Sequence, residues 1–531
     1  MTIPLTALPR EPRLWPVLAE REDLILAGGV LHVPHDDLTP EQARTEDLLL
    51  IRDALDAAGI PVLLLRRSAR VPALAVDEEL RVEALAAIAE LCEREPVYGK
   101  VQGHAPLPMQ DLPVAEAGPS VVRVFRPRIA ASGLRYGADH AVGVEFWRIG
   151  EALVEAPREN VLTRRVFARS DLDIVEVEAH GRSWRTIRGM FDAQPHEVTA
   201  EIDMVFSWVD GSSSEFLRQR AARLTEYVVG EGDDGPARFR QVDELRYALR
   251  SVHMYAPWVR RIFIATDSPA PAWLRDHPRV TVVPSDAFFA DTSSLPTHNS
   301  HAVEAQLHRI DGLSEHFLYS NDDMFFARPV DPDLFFTPGG VTKFVESDVR
   351  IGPGAARIER SGHDNALRVN RALLEERFGR IISRDLEHCA TPLRRSVMAE
   401  LEDVFADDFR RTAASRFRAA TDISVTNSLY HYYALLTGRA VSTERPRTRY
   451  VQTTLARSLA QMEKLAERRD IDMFCLNDGG ETEVPETVRV RAVLDLLGRM
   501  FPVAAPWEDP AVGVSAGPSA APSEERSAAH R

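Results

Sequence analysis

Three apolar runs in this 531-residue chain end on acids: IDMVFSWVD reaches Asp210, RIFIATD reaches Asp267, and HFLYSNDD closes on Asn321, Asp322 and Asp323. Two adjacent carboxylates at a strand end can hold a hard divalent cation, which in turn bridges and neutralises diphosphate oxygens. Side chains alternate along a strand, so one acid of the pair is expected to face the metal and the other to orient the loop. An isolated Asp-Asp pair is also an ordinary acidic turn. Upstream, Trp208 can stack on a base or sugar, or fill core, and Asp210 can bond ribose hydroxyls or a metal-bound water. Asp243, Arg246 and Arg250 stand at spacings of three and four and share one helical face, which either meets phosphate or forms a salt-bridged surface. The polar run LPTHNS leads into a helix, so Asn299 and Ser300 can cradle an anion beside its first amides, with Ser300 as a plain N-cap the alternative. His388 lies in a loop and can take the proton from an attacking hydroxyl; Arg418 lies just before a helix and can stabilise charge on a transferred phosphoryl group. Cys389, beside His388, acts as a nucleophile only with a depressed pKa.

Positioning these groups requires strands that end together. From about 200 onward the chain alternates strand, helix and strand: strands at 202–209, 261–267, 280–284 and 316–323, with helices near 240–255 and 300–310. That alternation predicts an α/β fold with a mostly parallel, Rossmann-like sheet, in which ligands bind outside the carboxyl ends of the strands. Residues 351–504 read as a mainly helical part completing the site, with apolar periodicity in NALRVNRALLEERF and TDISVTNSLYHYYALL and helices at about 454–468 and 486–500. Residues 1–190 read as an accessory α/β domain without a catalytic cluster. Its Gly28-Gly29 pair, lacking the rest of a dinucleotide fingerprint, reads as a turn. The tail from 505 to 531, rich in Ala, Pro, Ser, Glu and Gly, is expected to be disordered.

Composition narrows the function classes. With 44% hydrophobic residues the chain can bury a large core, and its length favours more than one domain. A net charge of −16, with no run of Lys or Arg interleaved with aromatics, argues against nucleic acid or an anionic membrane surface as main partner. Three cysteines far apart match neither a disulfide framework nor a zinc pattern, and no apolar stretch approaches the roughly 20 residues of a membrane span, so a cytoplasmic protein is expected.

Taken together, the segments IDMVFSWVDGS, RFRQVDELRYALRSVHMYAPWVRRIFIATD and LPTHNSHAVEAQLHRIDGLSEHFLYSNDDMFFARPV, then the stretch from His388 past Arg418 to YHYYALLTG, and finally CLNDGG, resemble the Stealth proteins. That family includes bacterial capsular-polysaccharide phosphotransferases and the catalytic part of the animal enzyme that adds GlcNAc-1-phosphate to lysosomal glycoproteins. The resemblance implies a catalytic centre of Asp203, Asp323, His388 and Arg418. It also implies help with metal or donor from Asn321, Asp322, Asn477 and Asp478, and Trp208 and Asp210 on the nucleotide side. The chain departs from the family pattern at Ser207, at Ser268-Pro-Ala-Pro and at His298. The implied activity moves a hexose- or N-acetylhexosamine-1-phosphate from a UDP-sugar, UDP-GlcNAc among the candidates, to a carbohydrate hydroxyl. It releases UMP and is assisted by Mg²⁺ or Mn²⁺. A two-step route through phosphohistidine is the mechanistic alternative. The rivals are a metal-dependent nucleotide-sugar glycosyltransferase, which attacks the anomeric carbon instead, and a non-catalytic carbohydrate-binding protein.

Overall fold

The run Ile202–Ser207 is buried along nearly its whole length. A strand flanked on both sides and covered on both faces needs such an unbroken apolar sequence rather than alternation. In the computed structural model, which describes residues 21–68, 71–112, 118–211, 218, 242–479 and 482–513, this strand (β1) is the centre of a five-stranded sheet. Around it stand β2 (Ile262–Ala265), β3 (Val280–Val283), β4 (His316–Asn321) and an edge strand (Thr391–Arg394), in the order β3-β2-β1-β4-edge. The first four are parallel and the edge strand is antiparallel. The chain runs from β1 out to β3 on one side and then crosses back to β4 on the other. The topology therefore reverses between β1 and β4, and a crevice forms there at the carboxyl ends. Register puts Ser207 opposite Ala265 on one side and Asn321 on the other.

Helix α1 (Glu244–Tyr255) connects β1 to β2 and is buried on almost every residue. The helix expected over 300–310 is shorter: α2 is Ser300–Glu304, and a single 3-10 turn follows at Leu307–Arg309. Beyond β4 the chain turns at Asp322-Asp323 into β5 (Met324–Phe326). This strand pairs antiparallel with β7 (Met473–Asn477), which lies parallel to β6 (Thr448–Gln452). Helix α3 (Gly362–Phe378) is capped by Ser361, whose side chain accepts from Asp364 N–H, and helix α4 spans Glu486–Met500.

Two compact units are present, one ending at Glu197 and one beginning at Val198. The division of the downstream part into a core at 200–350 and a helical part at 351–504 is corrected: the edge strand Thr391–Arg394 closes the main sheet, and one hydrophobic cluster runs from Val205 to Ala440. Pro392 on that strand hides it from pattern reading, since proline marks strand edges or loops. The tail needs a second correction. Residues 505–513 are ordered, with Trp507 and Glu508 buried, and 514–531 lie outside the described residues. The upstream unit has its own sheets, in which Val142–Ile149 pairs parallel with Val71–Asp77 and antiparallel with Val121–Phe125. Gly28 and Gly29, at φ +62° and +78°, form the tight turn of a hairpin, a conformation only glycine adopts without cost. Among the described residues no helix is long and apolar enough to cross a membrane.

Candidate functional site

The crevice between β1 and β4 gathers polar groups from two directions. On one side Ser207 Oγ lies 2.7 Å from the Tyr319 hydroxyl, and Asn321 Oδ1 accepts from both, at 3.3 Å from Ser207 and 3.0 Å from Tyr319. Tyr319 also interacts with Glu304, a buried acid on α2 that accepts from Thr426 Oγ1 at 2.7 Å and interacts with Ser300. Arg418 donates from Nη2 to Ser300 Oγ at 2.9 Å. A chain of interacting polar groups therefore links the Arg418 guanidinium to Asn321 at the strand end. Burial raises the pKa of Glu304, while Thr426 and the Arg418 charge work against that shift.

On the other side the 322–323 turn meets β7. The Asp323 carbonyl accepts from Leu476 N–H at 2.9 Å, and Asp323 Oδ2 faces Cys475 Sγ at 3.5 Å. Asp323 Oδ1 is shielded from solvent and has no hydrogen-bond partner. Burial, with added repulsion from Glu244 and Asp478, pushes the Asp323 carboxyl up to about 7. A buried acid with an unused oxygen and further carboxylates near it is what a bound cation would relieve. Asn477 and Asp478 follow at the end of β7. Asn477 Nδ2 donates to the Tyr450 hydroxyl, Thr453 Oγ1 donates to Asp478 Oδ1, and Arg489 on α4 lies 3.8 Å from Asp478 Oδ2. The Tyr450 ring stands edge-on to His388, with centroids 5.1 Å apart.

Helix α3 joins the two sides. Gly362, its first residue, lies so close to Arg418 that an added Cβ would fall 2.6 Å from Cδ of that side chain. His363, the next residue, hydrogen-bonds Asp385 Oδ2 through Nε2 at 2.8 Å, and its ring centroid is 6.1 Å from that of His388. Burial lowers the His388 pKa, the His363 charge lowers it further, and Asp385 acts in the opposite direction. Burial works most strongly against the Asp385 carboxylate, but the His363 hydrogen bond and charge, the Leu386 amide and the His388 charge together outweigh it and leave the acid below its ordinary value.

Asp323, His388, Arg418, Ser300, Asn321, Asn477 and Asp478 thus belong to one constellation, with Asp322 in the turn between them. Trp208 and Asp210 are part-buried just beyond the carboxyl end of β1, where Asp210 N–H donates to Ser268 Oγ at 2.8 Å. Several expectations are corrected. Asp203 is not at this site. It is fully buried near the start of β1, about 13 Å of strand away from Ser207. Both its oxygens are committed to Arg260, at 2.8 and 2.6 Å, and to the amides of Arg261 and Ser314. Arg246 and Arg250 do share a face of α1, but it points inward. Both bond Glu508, and they hold the carbonyls of Phe501, Val512 and Gly513. Asn299, not Ser300, caps α2, accepting from His301 N–H, and its amide is spent on Asp422 and the carbonyls of Ser415 and Phe417. It fixes the loop that carries Arg418. His298 stacks on Phe417 in that same loop, with centroids 5.2 Å apart. Asp267 accepts from Ser285 N–H. Cys389 is buried, and burial pushes its thiol up to about 12, away from the depressed value a nucleophile needs.

Sequence reasoning missed Glu304, Tyr319, His363, Asp385, Tyr450 and Arg489. Each gains meaning only from a partner brought in by the fold, Thr426 for Glu304 and Asp385 for His363, and carries no local signal.

Four family models match the chain: Stealth protein CR1, conserved region 1, over 201–228; CR2 over 238–344; CR3 over 387–435; and CR4 over 463–514. The exopolysaccharide phosphotransferase CpsY of Mycobacterium tuberculosis is 52% identical over 482 residues, covering 90% of this chain and 91% of that protein. An exopolysaccharide phosphotransferase of Nocardia farcinica is 54% identical over 472 residues, 89% of this chain and 88% of its own length. One from Streptomyces coelicolor is 36% identical over 526 residues, covering 94% of this chain and 89% of that protein. Among solved structures, the galactosyltransferase LgtC in complex with donor and acceptor sugar analogues is 10% identical, with a TM-score of 0.30 over 56% of this chain and 96% of that one.

Proposed function

The chain belongs to the Stealth family, and from that premise we propose that it is a phosphotransferase of polysaccharide synthesis that moves sugar-1-phosphate from a UDP-sugar to a carbohydrate hydroxyl, releasing UMP. The observation that carries this reading is the convergence on the β1/β4 crevice of an imidazole, a guanidinium and an under-satisfied carboxylate: His388, Arg418 and Asp323. Phosphoryl transfer needs positioning and charge neutralisation more than covalent chemistry, and these three groups are sufficient for it.

In this mechanism His388 accepts the proton of the acceptor hydroxyl, and that oxygen attacks the β-phosphorus. Arg418, held by Ser300 and backed by Glu304, spans the equatorial phosphoryl oxygens. Asp323 would hold a Mg²⁺ or Mn²⁺, with Asp322, Asn477 or Asp478 completing the set, and the ion would supply neutralisation of the diphosphate. Among the described residues no three His, Cys, Asp or Glu gather as a metal group. A small protein ligand set fits a magnesium ion that keeps waters and takes substrate phosphate oxygens. Trp208 and Asp210 stand on the nucleotide side. We place the work in the cytoplasm, where UDP-sugars are made.

The test is the nucleotide released. Incubated with UDP-GlcNAc, UDP-glucose and related donors, an acceptor and Mg²⁺, the protein is expected to release UMP and form a phosphodiester visible by phosphorus NMR. UDP with a phosphorus-free glycoside would overturn the reading in favour of glycosyl transfer. Asp323→Ala is expected to lower turnover by about 10²–10³, and full activity in excess chelator would remove the metal from the mechanism.

A further inference from the structure

Arg489 stands near the start of α4 with its side chain only 3% exposed. Its Nε and Nη1 are shielded from solvent and have no hydrogen-bond partner, and the guanidinium donates to none of the described residues. The acid beside it is Asp478, whose Oδ2 lies 3.8 Å from Nη2, beyond hydrogen-bond reach. The other oxygen of Asp478 accepts from Thr453 Oγ1.

A structural ion pair in this chain looks different. Arg250 closes on Glu508 with two bonds of 2.7 Å and gives a third to the Phe501 carbonyl. Arg128, which also has an idle Nε, bonds Glu46 and Asp47 through Nη2. A buried charge with unmade hydrogen bonds costs stability, and a ligand that accepts from those donors offsets the cost. Because the group is already out of water, such a bond forms at little further cost in desolvation.

The surroundings indicate which ligand. Asp478 follows the last residue of β7, the strand that pairs with β5 beyond the 322–323 turn, and its charge is felt at Asp323. Glu244, the buried first residue of α1, acts on Asp323 in the same sense. These acids outnumber the guanidinium, so a bare cation would relieve them and leave the N–H groups of Arg489 idle. A metal-bound diphosphate serves both, with its cation toward the acids and its oxygens toward the arginine.

Resting on the reading of the donor as a UDP-sugar, we propose that Arg489 binds the donor's diphosphate, gripping it from α4 as a second guanidinium in addition to Arg418. Its planar fork can donate to two phosphate oxygens at once, which an ammonium group cannot reproduce.

The experiment is a calorimetric titration of the full chain with UDP in Mg²⁺, paired with urea denaturation of the ligand-free protein. Arg489→Met is expected to weaken UDP binding about tenfold or more, the scale of lost charge-assisted hydrogen bonds. Its urea midpoint is expected to stay or rise, because the donors it removes were unsatisfied. Arg489→Lys keeps a charge beside Asp478, and is expected to match the wild-type midpoint while still binding UDP more weakly. Arg491→Met makes the same change of charge at an exposed position of the same helix and is expected to leave UDP binding unchanged. UDP affinity retained in both Arg489 variants overturns the proposal, and so does an equal loss in Arg491→Met, which would reduce the effect to net charge. A midpoint lowered in Arg489→Met with affinity kept in Arg489→Lys would make Arg489 a structural partner of Asp478 and overturn it too. Release of UDP in place of UMP during turnover would sink the phosphoryl-transfer reading instead, and would leave this contact standing, since either reaction binds the diphosphate.

Discussion

His388 sits among charges of both signs, and their balance fixes how its activity should follow pH. Burial and the His363 charge lower its pKa and Asp385 pulls the other way, and the Tyr450 ring stands edge-on to it. A histidine shifted downward is neutral at neutral pH and ready to accept a proton; it protonates, and stops acting as a base, only as pH falls through the lowered value. At saturating substrates kcat is therefore expected to fall on the acid side with an inflection below about 6.5, the ordinary imidazole value. His363→Asn removes the positive neighbour, so the inflection should move upward; a downward shift, or a profile flat to pH 5, would take the base role from His388. At this scale residue type alone misleads. Asp203 and Asp323 are both acids in apolar strand sequence, yet one spends every lone pair on Arg260 and two amides while the other keeps an oxygen unused. What distinguishes them is position along a parallel strand, start against end. That was legible for Asp323, whereas for Asp203 the family resemblance outweighed it.

The reversal of Arg246 and Arg250 from phosphate ligands to a structural clamp is an effect of elements. Helical spacing correctly put them on one face of α1, but nothing nearby in the chain says what that face meets. Its partner, Glu508, is more than 250 residues on, in a segment whose composition reads as a disordered tail. Both arginines and the glutamate are almost wholly buried. Removing one member of such a group leaves uncompensated charge in the interior, so Glu508→Ala is expected to cost about 3–5 kcal/mol of stability. Urea denaturation should show it as a lowered midpoint; an unchanged midpoint would mean that the segment is not clamped. Burial works most strongly against the Glu508 carboxylate, yet the Arg250 bond and charge, the Ala505 amide and the Arg246 bond together outweigh it and depress its pKa. The sign follows: the clamp's contribution is present above the unfolded glutamate value of about 4.3 and is lost as pH falls through the lower folded value. Helix α4, predicted at 486–500 and found at Glu486–Met500, was legible because its apolar stripe is local. Strands β6 and β7 escaped notice because they are short and pair across the chain, and they are the elements that bring Asn477 and Asp478 to Asp323.

At the scale of the whole chain, the described residues of the upstream and downstream units bury separate hydrophobic clusters. Leu48, Leu64, Val144 and Trp184 belong to the upstream core, and Val205, Phe263, Phe317 and Tyr430 to the downstream one. Strand-helix-strand alternation starts in the sequence near 200, and the boundary between the two units falls between Glu197 and Val198. The four Stealth regions and every residue of the β1/β4 constellation lie on the downstream side. A unit that closes its own core and clamps its own C-terminal segment has what it needs to fold alone. A chain starting at Val198 is therefore expected to be folded, to unfold in a single cooperative transition and to release nucleotide from UDP-sugar with a simple oligosaccharide acceptor. Two measurements separate the ways this can fail. If circular dichroism shows the truncated chain unfolded, the upstream unit stabilises the downstream one. If it folds and binds UDP-sugar but does not turn over, residues before 198 supply a group to the reaction or hold its acceptor, and the crevice between β1 and β4 is not the complete site.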